Sequence, residues 1–408
     1  MTGRWIRVSS CVASLVVAAS GAHAQSLVGF ASLPADTFAP GPTSGQLIQP
    51  ANGRTPPFVN RQPVQGISSI LRTSKGDFLA MADNGFGAKE NSVDFVLRMY
   101  RIAPDFKTKV GGSGTIDVLS FISLSDPDRH IPFPIVAELP VYPGTTIPVD
   151  AAISSGRLLT GGDFDIESVR EAHDGTLWFG DEFGPFLLHT DASGRLLEAP
   201  YPLEGVRSPQ NPFLKGAAPT LPRSKGFEGM AIAPNGKTLY PMLEGALIAD
   251  PDQRRLIVNE FDVVSTRYTG RQWFYRLEKP EYAIGDFTAV SDRLFLVIER
   301  DNGEGAAAQF KKIFLVDLDE VNGAFLVKHE VVDLLQIRDP YNLGGFGATF
   351  RFPFQTIESV IPLNQREIGV LDDNNYPFSN GRVPGQPDPN EFIIIRLDRP
   401  LVTYAQDR

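Results

Sequence analysis

Residues 163–191 read Asp163-Phe164-Asp165-Ile166-Glu167-Ser168-Val169-Arg170-Glu171-Ala172-His173-Asp174-Gly175-Thr176-Leu177-Trp178-Phe179-Gly180-Asp181-Glu182-Phe183-Gly184-Pro185-Phe186-Leu187-Leu188-His189-Thr190-Asp191. An extended run, Ile166–Val169, leads through Asp174-Gly175 to a second run, Leu177–Phe179, and a third follows at Phe186–His189. Alternating apolar positions joined by a two-residue Asp-Gly loop predict a β-hairpin with a third strand, and they put the carboxylates at strand ends.

The same pattern recurs along most of the chain. Gly66-Ile-Ser-Ser-Ile70 leads to Lys75-Gly76 and Met81-Ala-Asp-Asn-Gly85, and Gly226-Phe-Glu-Gly-Met230 leads to Asn235-Gly236 and Met242-Leu-Glu-Gly245. Asp286-Phe-Thr-Ala-Val290 is followed by Ile298-Glu-Arg-Asp-Asn302, and Thr356-Ile-Glu-Ser-Val360 by Leu371-Asp-Asp-Asn374. Recurrence of one supersecondary unit predicts an all-β propeller or solenoid. Helical periods are nearly absent among 38 glycines and 33 prolines. Five repeats are countable. The interval between Ser68 and Glu167 is longer than the others; residues 126–162 within it read either as a degenerate blade or as an insertion over one face, and a sixth blade hidden in that gap makes a six-bladed propeller the preferred total. A strand at Leu27–Leu33 is expected to close the last blade against Glu391–Leu397, because closure removes exposed sheet edges.

Met1–Ala24 carries Arg4 and Arg7, an apolar run from Cys11 to Ala19 and an Ala22-His23-Ala24 site. This is the pattern of a signal peptide cleaved after Ala24, leaving one propeller domain over 25–408 in the periplasm or medium. Cleavage removes the single cysteine, so thiol and disulfide chemistry are excluded. No other stretch is long and apolar enough for a membrane span. The net charge of −10 becomes −12 when Arg4 and Arg7 are lost. Such a surface is unsuited to nucleic acid, which demands clustered Lys and Arg. A monomer acting on a small molecule is expected.

In a propeller the first strand of each blade lines the central channel. Aligning the repeats puts Ser68, Glu167, Glu228, Thr288 and Glu358 in one ring. Like charges crowded together are costly unless protonated or bridged by a cation. A second set follows the second strands: Asp83-Asn84, Asp181-Glu182, Glu244, Glu299 with Asp301-Asn302, and Asp372-Asp373-Asn374. Hard oxygens without thiols or histidine pairs suit Ca²⁺, with its about six to eight oxygen ligands, or another divalent metal, better than Zn²⁺. The candidate metal ligands are therefore Asp83, Glu167, Asp181, Glu182, Glu228, Glu299, Asp301, Glu358 and Asp372. The bland alternative assigns these acids to turns, where Asp and Asn bond their own backbone. There is no Gly-x-Ser-x-Gly elbow and no P-loop. His130, His173, His189 and His329 read as structural or exposed. The cations near the expected channel ends are Lys89, Arg170, Lys225, Arg300 and Arg351.

Asp165-Ile-Glu-Ser-Val169, Gly180-Asp-Glu-Phe-Gly-Pro185 with Phe186–Asp191, Lys225-Gly-Phe-Glu-Gly-Met230 with Pro234-Asn-Gly-Lys237, and Glu299-Arg-Asp-Asn302 resemble the phytase-like family known for "esterase-like activity of phytase". The resemblance runs over roughly residues 60 to 400 and implies a secreted β-propeller that hydrolyses an ester or phosphoester. The Glu-Gly strand start is also similar to gluconolactonase-type propellers, in which that glutamate binds a divalent metal; Met230 stands where those have proline. The expectation is a metal-dependent phosphate-ester hydrolase with Glu167, Glu228 and Arg300 as catalytic residues. The alternatives are a lactonase or carboxylesterase on the same metal, and a non-catalytic binding propeller with structural calcium.

Overall fold

The repeated hairpins fold as blades in a computed structural model that describes residues 25–406. The expected signal peptide lies outside the described residues. In blade I the strands are Ile67–Arg72, Phe78–Ala82, Arg98–Asp105 and Thr115–Ser123; in blade II Ile166–Glu171, Leu177–Asp181, Phe186–Thr190 and a two-residue edge, Tyr201–Pro202. Blade III comprises Phe227–Ile232, Thr238–Leu243, Arg255–Asp262 and Arg267–Arg276, and blade IV Ala283–Ala289, Leu294–Arg300, Lys311–Asn322 and Phe325–Asp333. Blade V takes three strands from the C-terminal part, Thr356–Asn364, Glu367–Asp373 and Asn390–Arg396, and its fourth from Ser26–Leu33. Antiparallel pairing from Ser26 with Arg396 to Leu33 with Asn390 makes the expected closure.

The hairpin loops differ from the two-residue expectation. The Ala172 N–H donates to Thr176 O at 2.8 Å, so His173, Asp174 and Gly175 form a three-residue loop, with Gly175 at φ 81°. Gly76 and Gly236 repeat this left-handed position at φ 88° and 67°, where a Cβ would be strained.

Inner strands contact one another in the order I–II–III–IV–V–I, so five blades close the ring and the expected sixth is not formed. Residues 126–162 contain six prolines, each lacking the N–H that a strand ladder needs. They make a short 3₁₀ turn, Val136–Glu138, and a one-and-a-half-turn helix, Ala151–Gly156. Their apolar side chains, among them Ile131, Ile135, Tyr142 and Ile153, fill the wedge between blades I and II. The described residues hold five buried apolar clusters, one between each pair of adjacent blades. The core is therefore distributed around the ring, and the axis is left to polar side chains.

Candidate active site in the central channel

One irregularity repeats in every blade. Pairing of the inner strand with its neighbour jumps from Ile67 to Ser69, Ile166 to Ser168, Phe227 to Gly229, Ile284 to Asp286 and Ile357 to Ser359. Each jump is a β-bulge, which leaves one residue outside the ladder and re-aims its side chain. The five bulged residues are Ser68, Glu167, Glu228, Gly285 and Glu358. Four match the expected ring. The fifth is Gly285 rather than Thr288, which lies three residues farther along its strand. A Cβ on Gly285 would come within 2.0 Å of the Ile357 carbonyl oxygen, so blade IV contributes only backbone there.

A second ring comes from the ends of the second strands: Asp83, Glu182, Glu244, Arg300 and Asp373. The backbone N–H groups of Asp83, Glu182 and Glu244 donate to the carbonyls of Gly66, Asp165 and Gly226 at 2.8, 2.9 and 2.8 Å, which sets them in equivalent places. Arg300 and Asp373 pair in the ladder with Ala283 and Thr356. Arg300 is the cation of this second ring. Its Nη2 donates to Glu358 Oε1 at 2.9 Å and lies 3.8 Å from Glu244 and 4.0 Å from Glu228. Ser68 Oγ donates to the other oxygen of Glu358 at 3.0 Å, and Lys225 is paired with Glu244.

With Asp165, eight carboxylates meet two cations. Asp165, Glu167 and Glu182 present oxygens within 4.8 Å of one another, as do Glu182, Glu228 and Glu244. Glu182 belongs to both triads. One oxygen each of Glu182 and Glu228 is buried with no hydrogen-bond partner. Burial pushes Asp165 up to about 8, with Asp181, Glu358 and Glu244 adding to it, and pushes Glu358 up to about 7 with Asp373 adding and Arg300 opposing. Glu167, Glu182, Glu228 and Asp83 are held well above the usual carboxylate range by burial and by the neighbouring carboxylates of the cluster. Burial alone would weaken protonation of Arg300, but Glu358, Glu244 and Glu228 hold it firmly charged.

The remaining expected ligands have other partners. Asp181 accepts the Asp165 and Gly184 N–H groups at 2.9 and 2.7 Å. Glu299 is held by Tyr275 Oη at 2.6 Å, the Glu278 N–H at 2.6 Å and Lys328 Nζ at 2.9 Å. Asp301 accepts the Gln309 and Phe310 N–H groups and pairs with Lys311 at 3.0 Å. Asp372 accepts the Glu391 N–H at 2.6 Å. Successive residues of a strand point to opposite faces, so Glu182, Arg300 and Asp373 reach the axis and their predecessors Asp181, Glu299 and Asp372 do not. Asp165 was not singled out by sequence, although it stands two residues before the bulged Glu167, in the place Gly66 and Gly226 occupy in their blades. Histidines stay outside the cluster: His189 pairs with Glu198 and stacks on Trp178, and His329 pairs with Glu320.

Deeper in the channel the chemistry changes. Arg170 Nη2 donates to Asp286 Oδ1 at 2.8 Å and its Nη1 to Ser69 Oγ at 2.8 Å, while Asp286 Oδ2 accepts the Val360 N–H at 2.9 Å. This pair ties blades I, II, IV and V together across the axis.

Residues 62–376 match the sequence profile of the phytase-like family, described as "Esterase-like activity of phytase". The chain belongs to this family. It is also 27% identical to an uncharacterised secreted protein of Arthroderma benhamiae, over 48% of this chain and 47% of that protein, so the match spans about half the relative's length. Among solved structures, a GH43 β-1,3-galactosidase has a TM-score of 0.41 at 9% identity, covering 86% of this chain and 59% of the other. A Dyadobacter fermentans protein of unknown function has a TM-score of 0.37 at 10% identity, covering 81% and 75%. Among the described residues no helix is long and apolar enough to cross a membrane.

Proposed function

We propose that this phytase-like chain is an exported, monomeric, cation-dependent hydrolase of phosphate esters acting in the channel mouth. The observation that carries this reading is the imbalance of eight carboxylates against Arg300 and Lys225, with one buried oxygen each of Glu182 and Glu228 lacking a hydrogen bond. Buried like charges of this number are stable only when protonated or neutralised from outside. The donors are all hard oxygens, which suits Ca²⁺. Asp165, Glu167 and Glu182, and Glu182, Glu228 and Glu244, would hold it. A bound divalent cation supplies a positive potential for an anionic ester and lowers the pKa of a coordinated water.

Other residues have separate roles. Both oxygens of Glu358 are engaged, one by Ser68 and one by Arg300, so Glu358 acts as the anchor of Arg300 rather than as a ligand. Arg300, fixed from three sides, is placed to stabilise charge developing on the reacting group. Glu167, the most exposed of these glutamates at 9%, acts as ligand or base. Export fits the expectation of a signal peptide read from the Ala22-His23-Ala24 pattern, and the secreted relative.

The family's esterase-like description favours a second reading, in which the same cation polarises an acyl ester or lactone. Nitrophenol release from a phosphate ester and from a short acyl ester, with Ca²⁺ and with a chelator, separates the two. We expect chelator-sensitive cleavage of the phosphate ester that is lost in Glu167→Gln. Cleavage of the acyl ester alone would favour the second reading, and silence on both would point to a binding propeller.

A further inference from the structure

A groove of about 680 Å³ lies among three loops, and each loop springs from the channel mouth. Residues 301–308 leave Arg300, 374–389 leave Asp373, and 346–353 run into Thr356 at the head of the blade V inner strand. The groove therefore opens on the same end of the propeller as the carboxylates, over blades IV and V. Its walls are bonded to each other. The Gly305 N–H donates to Pro353 O at 2.8 Å, and the Asn380 N–H donates to Glu304 Oε2 at 3.3 Å. Gly381 packs so closely that a Cβ would meet Pro353 O at 3.0 Å. The groove is preformed, and its volume falls within the roughly 300–1,000 Å³ of small-molecule sites.

Its lining differs from the channel's: two arginines and an exposed phenylalanine stand with one carboxylate, Glu304, whose Oε2 is held by the Asn380 N–H. Phe346 is 54% exposed. Arg382 packs between Phe346, Phe350 and Phe354 and is neutralised by Glu391. Arg351 is exposed, and its Nη2 donates to Ala308 O at 3.3 Å. Among the described residues no carboxylate pairs with Arg351. An apolar ring face and an uncompensated guanidinium thus stand beside an acidic mouth. Glu304 is four residue steps from Arg300, which bounds the separation of their Cα atoms at about 14 Å.

Resting on the hydrolase reading, we infer that this groove seats the part of the ester remote from the scissile bond. It selects an aromatic body that ends in a carboxylate. Phe346 would contact the ring, and Arg351 would take the carboxylate in bidentate fashion.

The test compares biphenyl-4-yl phosphate with its 4′-carboxy derivative, using the full chain with Ca²⁺. The carboxylated ester should show a KM lower by about fivefold, the scale of a partly exposed ion pair. Arg351→Gln should bring the ratio of the two KM values close to one, with the change in KM rather than kcat, and Arg351→Lys should retain part of it. Phe346→Ala should raise KM for both biphenyl esters relative to phenyl phosphate. Equal KM values in the wild type, or a ratio that survives Arg351→Gln, would overturn the inference. If neither ester is turned over, the hydrolase reading fails on these substrates, and calorimetry with the two matching phosphonates decides the groove separately. A carboxylate preference lost in Arg351→Gln supports it, and its absence overturns it.

Discussion

Two ionic arrangements share the channel, and they are built on the same inner strands. At the mouth, eight carboxylates surround Arg300 and Lys225. Deeper down, one arginine faces one aspartate, and Ser69, Phe287 and Val360 supply further bonds. Both sites are buried. The lower is balanced within the chain, whereas in the upper the carboxylates outnumber the cations and are held above their usual pKa. A closed buried pair reads as structure and an unbalanced buried cluster as a site for a ligand.

The largest expected effect lies in the balanced pair. Arg170→Met leaves Asp286 buried and unpaired, and urea denaturation should show a loss of about 3–5 kcal/mol. This loss should be the same with Ca²⁺ or chelator. A calcium-dependent loss would blur the distinction between the two regions.

Next comes the cation itself. Ca²⁺ at 100 times its dissociation constant should stabilise the wild type by about 2.7 kcal/mol. Glu182→Gln, which touches both triads, should abolish that gain in a thermal melt. Retention of the full gain would move the cation away from Glu182.

A pH dependence follows from the raised carboxylates. In the cation-free protein Asp165 and Glu358 lose their protons only near 8 and 7, against about 4 in the unfolded chain. Between those values the unfolded state binds fewer protons, so stability falls as pH rises from about 4 to about 8. The melting temperature in chelator should therefore drop across this window, and Ca²⁺ should restore more of it at pH 8 than at pH 5. A chelator curve that rises with pH would contradict the cluster's electrostatics. The smallest effect on the calcium response belongs to Glu299→Gln, which should leave that gain unchanged because Glu299 serves Tyr275 and Lys328.

Much of the fold was legible because hairpins announce themselves locally. Alternating strands, glycine-bearing turns and an N-terminal strand able to close the last blade need no long-range knowledge. The blade count was less so. A proline-rich interval of blade length looks the same in sequence whether it pairs or fills a wedge, and Tyr142 and Ile153 fill one. In the site, Glu167, Glu228 and Glu358 stood out because each follows the same strand start. Thr288 was mistaken for their counterpart because the true equivalent, Gly285, has no side chain to mark it. Asp181 and Glu182, or Asp372 and Asp373, are adjacent acids that composition cannot separate; the pleat sends one to the axis and the other to backbone N–H groups. The groove over blades IV and V arises from three loops distant in sequence, which no local pattern brings together.

The most direct measurement is calorimetric titration of the cation-free chain with Ca²⁺ at pH 7.5, for the wild type and for Glu182→Gln of unchanged circular dichroism. We predict saturable binding in the wild type with proton release, because the raised carboxylates must ionise to ligate, and no such binding in the variant. Absence of binding in the wild type, or identical binding in both proteins, would contradict the assignment of the carboxylate cluster as a cation site.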